Sequence, residues 1–139
     1  MDYKRANDID FVIGDFLENQ TNEKFSELIE ALIESDVILI NNELHGDLKK
    51  LTGDGVTPLV ITDSEKKNYI PLFTSDKHII NDQVKNLGRI HYTFKDLCND
   101  SVITSDYIEG YVLNPFTHGL KLPKPVIEIV NKYTKESKL

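Results

Sequence analysis

The chain has 139 residues, 40% hydrophobic and 28% charged, with a formal net charge of -7. This is the size of one domain with its own core, and no apolar run reaches the ~18 residues needed to span a bilayer. The single cysteine, Cys98, excludes a disulfide within the chain and a zinc cluster built on cysteine pairs. The charge is lopsided: residues 1–50 carry 12 Asp/Glu against 5 Lys/Arg, and the remainder is balanced at 11 of each. That distribution argues against a nucleic-acid binder, which needs clustered cations to replace phosphate counterions. It leaves two readings of the acidic third open, a solvated surface or one that attracts a basic protein partner. Residues 1–8 have no apolar h-region, so no secretory signal is expected and a cytoplasmic setting follows.

In chain order, Ile9, Phe11, Val12, Ile13, Phe16 and Leu17 predict a first short helix interrupted by Gly14. Thr21 is an expected N-cap, with Glu23 in the first turn. Phe25, Leu28, Ile29, Leu32 and Ile33 then recur at helical spacing, which predicts a helix over about residues 22–35. Glu27, Glu30 and Glu34 fall off that stripe. Val37 to Ile40 is a β-branched apolar run of strand length. Residues 41–55 are polar, with Gly46, Gly53 and Gly55, and read as a loop. Residues 58–62 and 69–73 are expected strands paired as a hairpin across the charged turn 63–68. Pro58 and Pro71 mark strand beginnings, an edge or a bulge.

Thr74, Ser75 and Asp76 are three candidate caps for a helix through Ile79, Ile80, Val84 and Leu87 that stops at Gly88. A short strand at 89–92, short helices at 94–98 and 101–107, and a strand at 110–113 ending in Asn114-Pro115 follow. A turn through Thr117-His118-Gly119 leads to Leu120-Lys121-Leu122. Pro123 and Pro125 open a last helix with an apolar face of Val126, Ile127, Val130 and Tyr133 and with Lys132, Lys135 and Lys138 toward its end. Strands and helices interleave without strict alternation. This predicts an α+β domain, a mixed sheet of about five to six strands covered by helices. Residues 1–21 are expected to be a partly helical extension and residues 22–139 the domain.

The leading amphipathic helix, the strand Val37 to Ile40, the segment Ile70-Pro71-Leu72-Phe73-Thr74-Ser75-Asp76, the strand Tyr111-Val112-Leu113-Asn114-Pro115, Gly119 and the terminal helix come in an order that resembles the SseB N-terminal-domain family. The Pro-x-Phe-Thr turn and the Asn-Pro strand end carry most of that likeness. It implies a bacterial cytoplasmic α/β domain without assigned catalytic residues. Longer members carry a second domain after this one.

Familiar chemistries find little support. There is no dinucleotide fingerprint and no phosphate loop, and Thr52-Gly53-Asp54-Gly55 precedes a strand instead of a helix. His78 and Asp82 are spaced for one helix face, but a metal needs at least three ligands and no third is evident, so neither metal nor cofactor is expected. His45 and His91 lie beside no motif. His118 is the only histidine beside a family segment, and its alternative role is an exposed loop side chain. Cys98 lies late in a short helix with Phe94 and Leu97, as a buried inert thiol would. Thr74 and Asn114 read first as a helix cap and a local turn closure. Their alternative is a shared recognition surface at one sheet edge.

The expected function is therefore a non-enzymatic protein-interaction domain, in a specific form an immunity or adaptor protein. Glu23, Glu27, Glu30, Glu34, Thr74, Asn114 and His118 are the candidate binding residues, toward an unidentified and basic protein partner. No membrane or nucleic-acid partner is expected, and the protein should be a monomer or a weak homodimer. The competing reading is a small-molecule sensor or enzyme connected with amino acids.

Overall fold

A computed structural model describes residues 5–41 and 58–137. The expected glycine loop and His45 lie outside those residues, as does Lys138. The described residues form six α-helices and six strands: α1 (Arg5–Glu18), α2 (Asn22–Ile33), β1 (Asp36–Asn41), β2 (Ile61–Thr62), β3 (Asn68–Phe73), α3 (Asp82–Lys85), β4 (Gly88–Thr93), α4 (Phe94–Leu97), α5 (Asp100–Ile103), β5 (Gly110–Leu113), β6 (Leu120–Pro123) and α6 (Lys124–Ser137). A 3-10 turn, Asp76–His78, precedes α3. The fold is α+β with one mixed sheet ordered β4-β1-β3-β5-β6, and β2 also pairs with β3. Among the described strands only β3 and β5 run parallel. The other pairings are antiparallel, including the expected β2–β3 hairpin.

The middle strands are buried on both faces, which explains their unbroken apolar runs. Val37 and Leu39 of β1 point into the larger core with Ile70 and Leu72 of β3, while Ile38, Ile40 and Phe73 point the other way. Ile13 of α1, the stripe Leu28, Ile29, Leu32 and Ile33 of α2, and Val126, Ile127 and Val130 of α6 fill the larger core. Ile79 and Val84 help cover the opposite face. Each fully buried aliphatic side chain contributes about 1.5–3 kcal/mol of transfer free energy. The α2 start follows expectation, the Thr21 hydroxyl accepting from the Lys24 N–H at 3.1 Å. Cys98 is buried, and desolvation pushes its thiol far above the ordinary range, so it stays protonated.

Several sequence expectations are corrected. Pro71 is not at a sheet edge but inside β3, beside Val112 of β5. The Leu72 carbonyl accepts from Asn114 N–H on the β5 side and the Asn68 carbonyl from Glu109 N–H. Odd residues of β3 therefore point their backbone groups toward β1 and β2. Pairing there breaks between Tyr69, matched to β2, and Leu72, matched to β1. The missing proline N–H falls in that gap and orphans no partner. The helix expected through residues 79–87 shrinks to a 3-10 turn and the four-residue α3. Its cap is Asn81, whose side chain accepts from Gln83 N–H at 2.8 Å, and not Thr74. Tyr133, expected on the buried face of α6, is 54% exposed.

Gly110 is required by close approach, because a Cβ there would strike the Leu122 carbonyl and Pro123. Gly119 has φ +65°, the left-handed region that glycine enters without a steric penalty. It closes the β5–β6 turn by donating its N–H to the Asn114 carbonyl at 2.8 Å.

Candidate functional site

Because β3 and β5 are parallel neighbours, the residues that follow them, Thr74 and Asn114, emerge at the same edge of the sheet. Thr74 N–H points toward β5, where the next ladder acceptor would lie. The β5 backbone has already turned away, Asn114 taking φ 49°, a left-handed conformation that asparagine tolerates better than most residues. The Asn114 side chain continues the ladder, its Oδ1 accepting from Thr74 N–H at 3.0 Å. That bond fixes which end of the amide is oxygen. The Nδ2 then donates to Thr74 Oγ1 at 3.1 Å and to His118 Nδ1 at 3.0 Å. Asn114 is fully buried with its polar atoms satisfied.

The network runs on from there. Thr74 Oγ1 donates to Asp10 Oδ1 of α1 at 2.6 Å. Asp10 Oδ2 lies 2.8 Å from His78 Nε2, and His78 Nδ1 lies 2.8 Å from Thr117 Oγ1. The His78 and His118 rings are tilted against each other with centroids 5.2 Å apart. Lys77 Nζ sits 3.4 Å from Asp10 Oδ2. Burial raises the Asp10 carboxyl, but hydrogen bonds from Thr74, His78 and Lys77, with the charge of His78, together hold it below the ordinary carboxylate value. His118 is held below the ordinary imidazole value, first by desolvation and then by the adjacent His78 and by Lys77, with Asp10 opposing. Its Nδ1 accepts a hydrogen bond, so the neutral ring carries its proton on Nε2.

The sequence singled out Thr74, Asn114 and His118, and the structure brings all three together. It does not bring Asp82 to His78, since Asp82 is exposed on α3 and pairs with Lys85 at 3.6 Å. The carboxylate beside His78 is Asp10, 68 residues away in sequence. Asp10, His78 and Thr117 were the members missed. Their separation in the chain leaves no spacing signal; the parallel β3–β5 pairing, which the structure reveals, is what brings the segments after Phe73 and Leu113 together. Carboxylate, imidazole and hydroxyl stand here in the order used to activate a nucleophile. The turn's Thr117 and Gly119 N–H groups both donate to the Asn114 carbonyl, so neither serves an oxyanion. What the cluster offers is proton exchange and ligand atoms.

The acidic candidates lie elsewhere. Glu23, Glu27, Glu30 and Glu34 are all exposed on α2 or at its end. Glu27 lies 3.7 Å from Lys24, and Glu34 lies 3.1 Å from Lys95. Glu23 and Glu30 have no ion-pair partner among the described residues. Glu30 and Glu34 rim an open groove of about 740 Å³ between α2 and α6, floored by Phe25, Ile29, Ile33, Val130 and the half-exposed Ile129 and Tyr133.

The architecture defines an α+β domain with an open mixed sheet, whose polar cluster joins the Phe-Thr turn to the Asn-Pro strand end. The family described as the SseB protein N-terminal domain matches residues 12–128, and the chain belongs to that family. No curated protein and no solved structure matches it.

Proposed function

We propose that this chain is a non-enzymatic protein-interaction domain of the bacterial cytoplasm, and that its α2–α6 groove receives a basic amphipathic helix from a partner protein. An immunity or adaptor role fits that behaviour. The observation that carries the reading is the groove itself. Ile129 and Tyr133 are each 54% exposed, which leaves two large apolar side chains facing water in a groove that the carboxylates of Glu30 and Glu34 also line. Exposed apolar patches with a polar rim are a mark of interaction sites. An amphipathic helix laid in such a groove would anchor through residues one turn apart. Lysines or arginines on its flank would meet Glu30 and Glu34, with Glu23 and Glu27 extending the field along α2 and speeding encounter.

The test is a photocrosslinking residue placed at Tyr133, compared with one at exposed Phe11, in host cells. Expected is a saturable crosslink to a basic segment at position 133 only. It should weaken in Ile129→Glu, and in Glu30→Lys with Glu34→Lys by an amount that fades as salt rises. The same captures at both positions, or insensitivity to all these substitutions, would remove the reading.

The small-molecule reading has one observation in its favour, the convergence of Asp10, His78, Asn114 and His118 at a strand-end edge, where ligand sites tend to form. A thermal-shift screen with amino acids and nucleotides separates the two: a ligand that binds only the folded chain raises the melting temperature. A shift that vanishes in His118→Ala would favour this second reading.

A further inference from the structure

We propose that Asp10, His78 and His118 form a binding site for one divalent transition-metal ion of the zinc class. These residues come from α1, the 3-10 turn and the β5–β6 turn, and each brings a ligand atom within 4.8 Å of the other two. Two imidazoles and one carboxylate are a donor set that suits Zn²⁺, Co²⁺ and Ni²⁺ better than Mg²⁺ or Ca²⁺. Metal–ligand bonds of about 2.0–2.2 Å at tetrahedral angles place donor atoms about 3.4 Å apart. Asp10 Oδ2 and His78 Nε2, at 2.8 Å, must open slightly, and His118 must move in by an ångström or so, on the order of a side-chain rotation.

The hydrogen bonds already present are those a metal site uses to hold its ligands. Asp10 Oδ1 is fixed by the Thr74 hydroxyl, leaving Oδ2 for the ion. Coordination through His78 Nε2 puts the ring proton on Nδ1, where Thr117 Oγ1 accepts it. The Thr117 proton then turns to the Asn114 carbonyl, 3.5 Å away. A neutral His78 thus changes tautomer without losing a proton, and an imidazolium releases one. His118 offers its Nδ1 lone pair in place of the bond from Asn114 and keeps its Nε2 proton. The Lys77 ammonium, on a side chain 66% exposed, swings from Asp10 into water. Three protein ligands leave a coordination position for water. The ion would fasten α1 to the sheet edge. This site shares no residue with the α2–α6 groove, so either proposal can fail alone.

The experiment uses the whole chain without a histidine tag. Zn²⁺ is titrated calorimetrically, and Co²⁺ is followed by its visible d–d absorption. Expected are one ion per chain, a Co²⁺ spectrum of low coordination number and a higher melting temperature with Zn²⁺. Because His78 is buried, the variants are His118→Ala and Asp10→Asn, each checked by circular dichroism, so that one remains if the other fails to fold. Each should weaken binding by more than the roughly 10–100-fold caused by losing a residue that only orients a ligand. Thr117→Val should fall within that range, and His91→Ala, on exposed β4, should change nothing. No saturable binding, a stoichiometry other than one, or equal losses in His91→Ala and His118→Ala would overturn the proposal.

Discussion

The face that α2 turns to the sheet and the polar cluster beyond β3 and β5 are held by different physics. On α2 the stabilisation is non-directional. Leu28 and Leu32 are fully buried, and what matters is volume removed from water. In the cluster it is directional: each of Asn114, Thr74, Asp10 and His78 has a particular hydrogen-bond partner, and losing one member strands another. The first region should respond to size and the second to chemical identity.

The largest effect should come from the first region. Leu32→Ala is expected to destabilise by about 2–5 kcal/mol, because the side chain is fully buried and its loss removes apolar contacts and leaves a cavity in the core. Glu30→Ala, on the exposed side of the same helix, should stay within about 0.5 kcal/mol. Denaturant unfolding reads both. Equal midpoints would break the face assignment.

Next in size is Asn114. Asn114→Ala leaves Thr74 N–H without its acceptor and puts a β-carbon without polar compensation at φ 49°. A cost of about 1–3 kcal/mol is expected from the stranded donor, with about 1–2 kcal/mol more from the left-handed backbone. Asn114→Gly should recover only the backbone part. If glycine restores full stability, the side-chain bridge has no energetic role and the two regions differ less than argued.

Thr74→Ala should cost less, about 0.5–1.5 kcal/mol, since the backbone bond to Asn114 survives and only the hydroxyl between Asn114 and Asp10 goes. Thr74→Ser keeps that hydroxyl and should sit near wild type. Because Thr74 caps no helix, helical circular dichroism should be unchanged in both variants.

The contrast also explains what the sequence could disclose. Thr21, the α2 stripe, β1, the β2–β3 hairpin, β5 and α6 are governed by neighbours within a few residues, and their period or capping chemistry shows in the chain. The stretch after Thr74 misled. Three capping residues and apolar Ile79, Ile80, Val84 and Leu87 imitate a helix, but tertiary demands send Ile79 and Val84 onto the sheet through a 3-10 turn and a single α turn. The same demands put His78 beside Asp10, Thr117 and His118, where its expected neighbour Asp82 cannot reach. Thr74 and Asn114 were noticeable individually as strand ends. That one side chain would complete the other's ladder follows only from the parallel pairing of β3 with β5, a contact 40 residues apart.

The smallest expected effect tests whether directional bonding matters where water can compete. Asp63 closes the β2–β3 turn, its Oδ1 accepting from the N–H groups of Glu65 and Lys67 at 2.9 Å each, and its Oδ2 meets Lys121 Nζ of β6 at 2.8 Å. The hydrogen bond from Lys121, then those from the Lys67 and Glu65 backbones, hold its carboxyl below the ordinary carboxylate value despite opposing desolvation. A carboxyl whose folded pKa is lowered binds protons more readily in the unfolded chain. Its contribution is therefore complete above the unfolded value of about 3.9 and drains away as pH falls through the lower folded value. Asp63→Asn preserves an acceptor for the two backbone donors but removes the charge. The stability gap between wild type and Asp63→Asn should be small at neutral pH, should shrink with salt as exposed ion pairs do, and should narrow as the pH drops below about 4. Lys121→Gln should show the same narrowing, because it removes the other half of the pair. Unfolding midpoints measured from neutral pH into this acid range would decide it. A gap that widens toward acid would mean that Asp63 acts as a neutral hydrogen-bonding group, and the ion pair to β6 would then have no part in holding the hairpin.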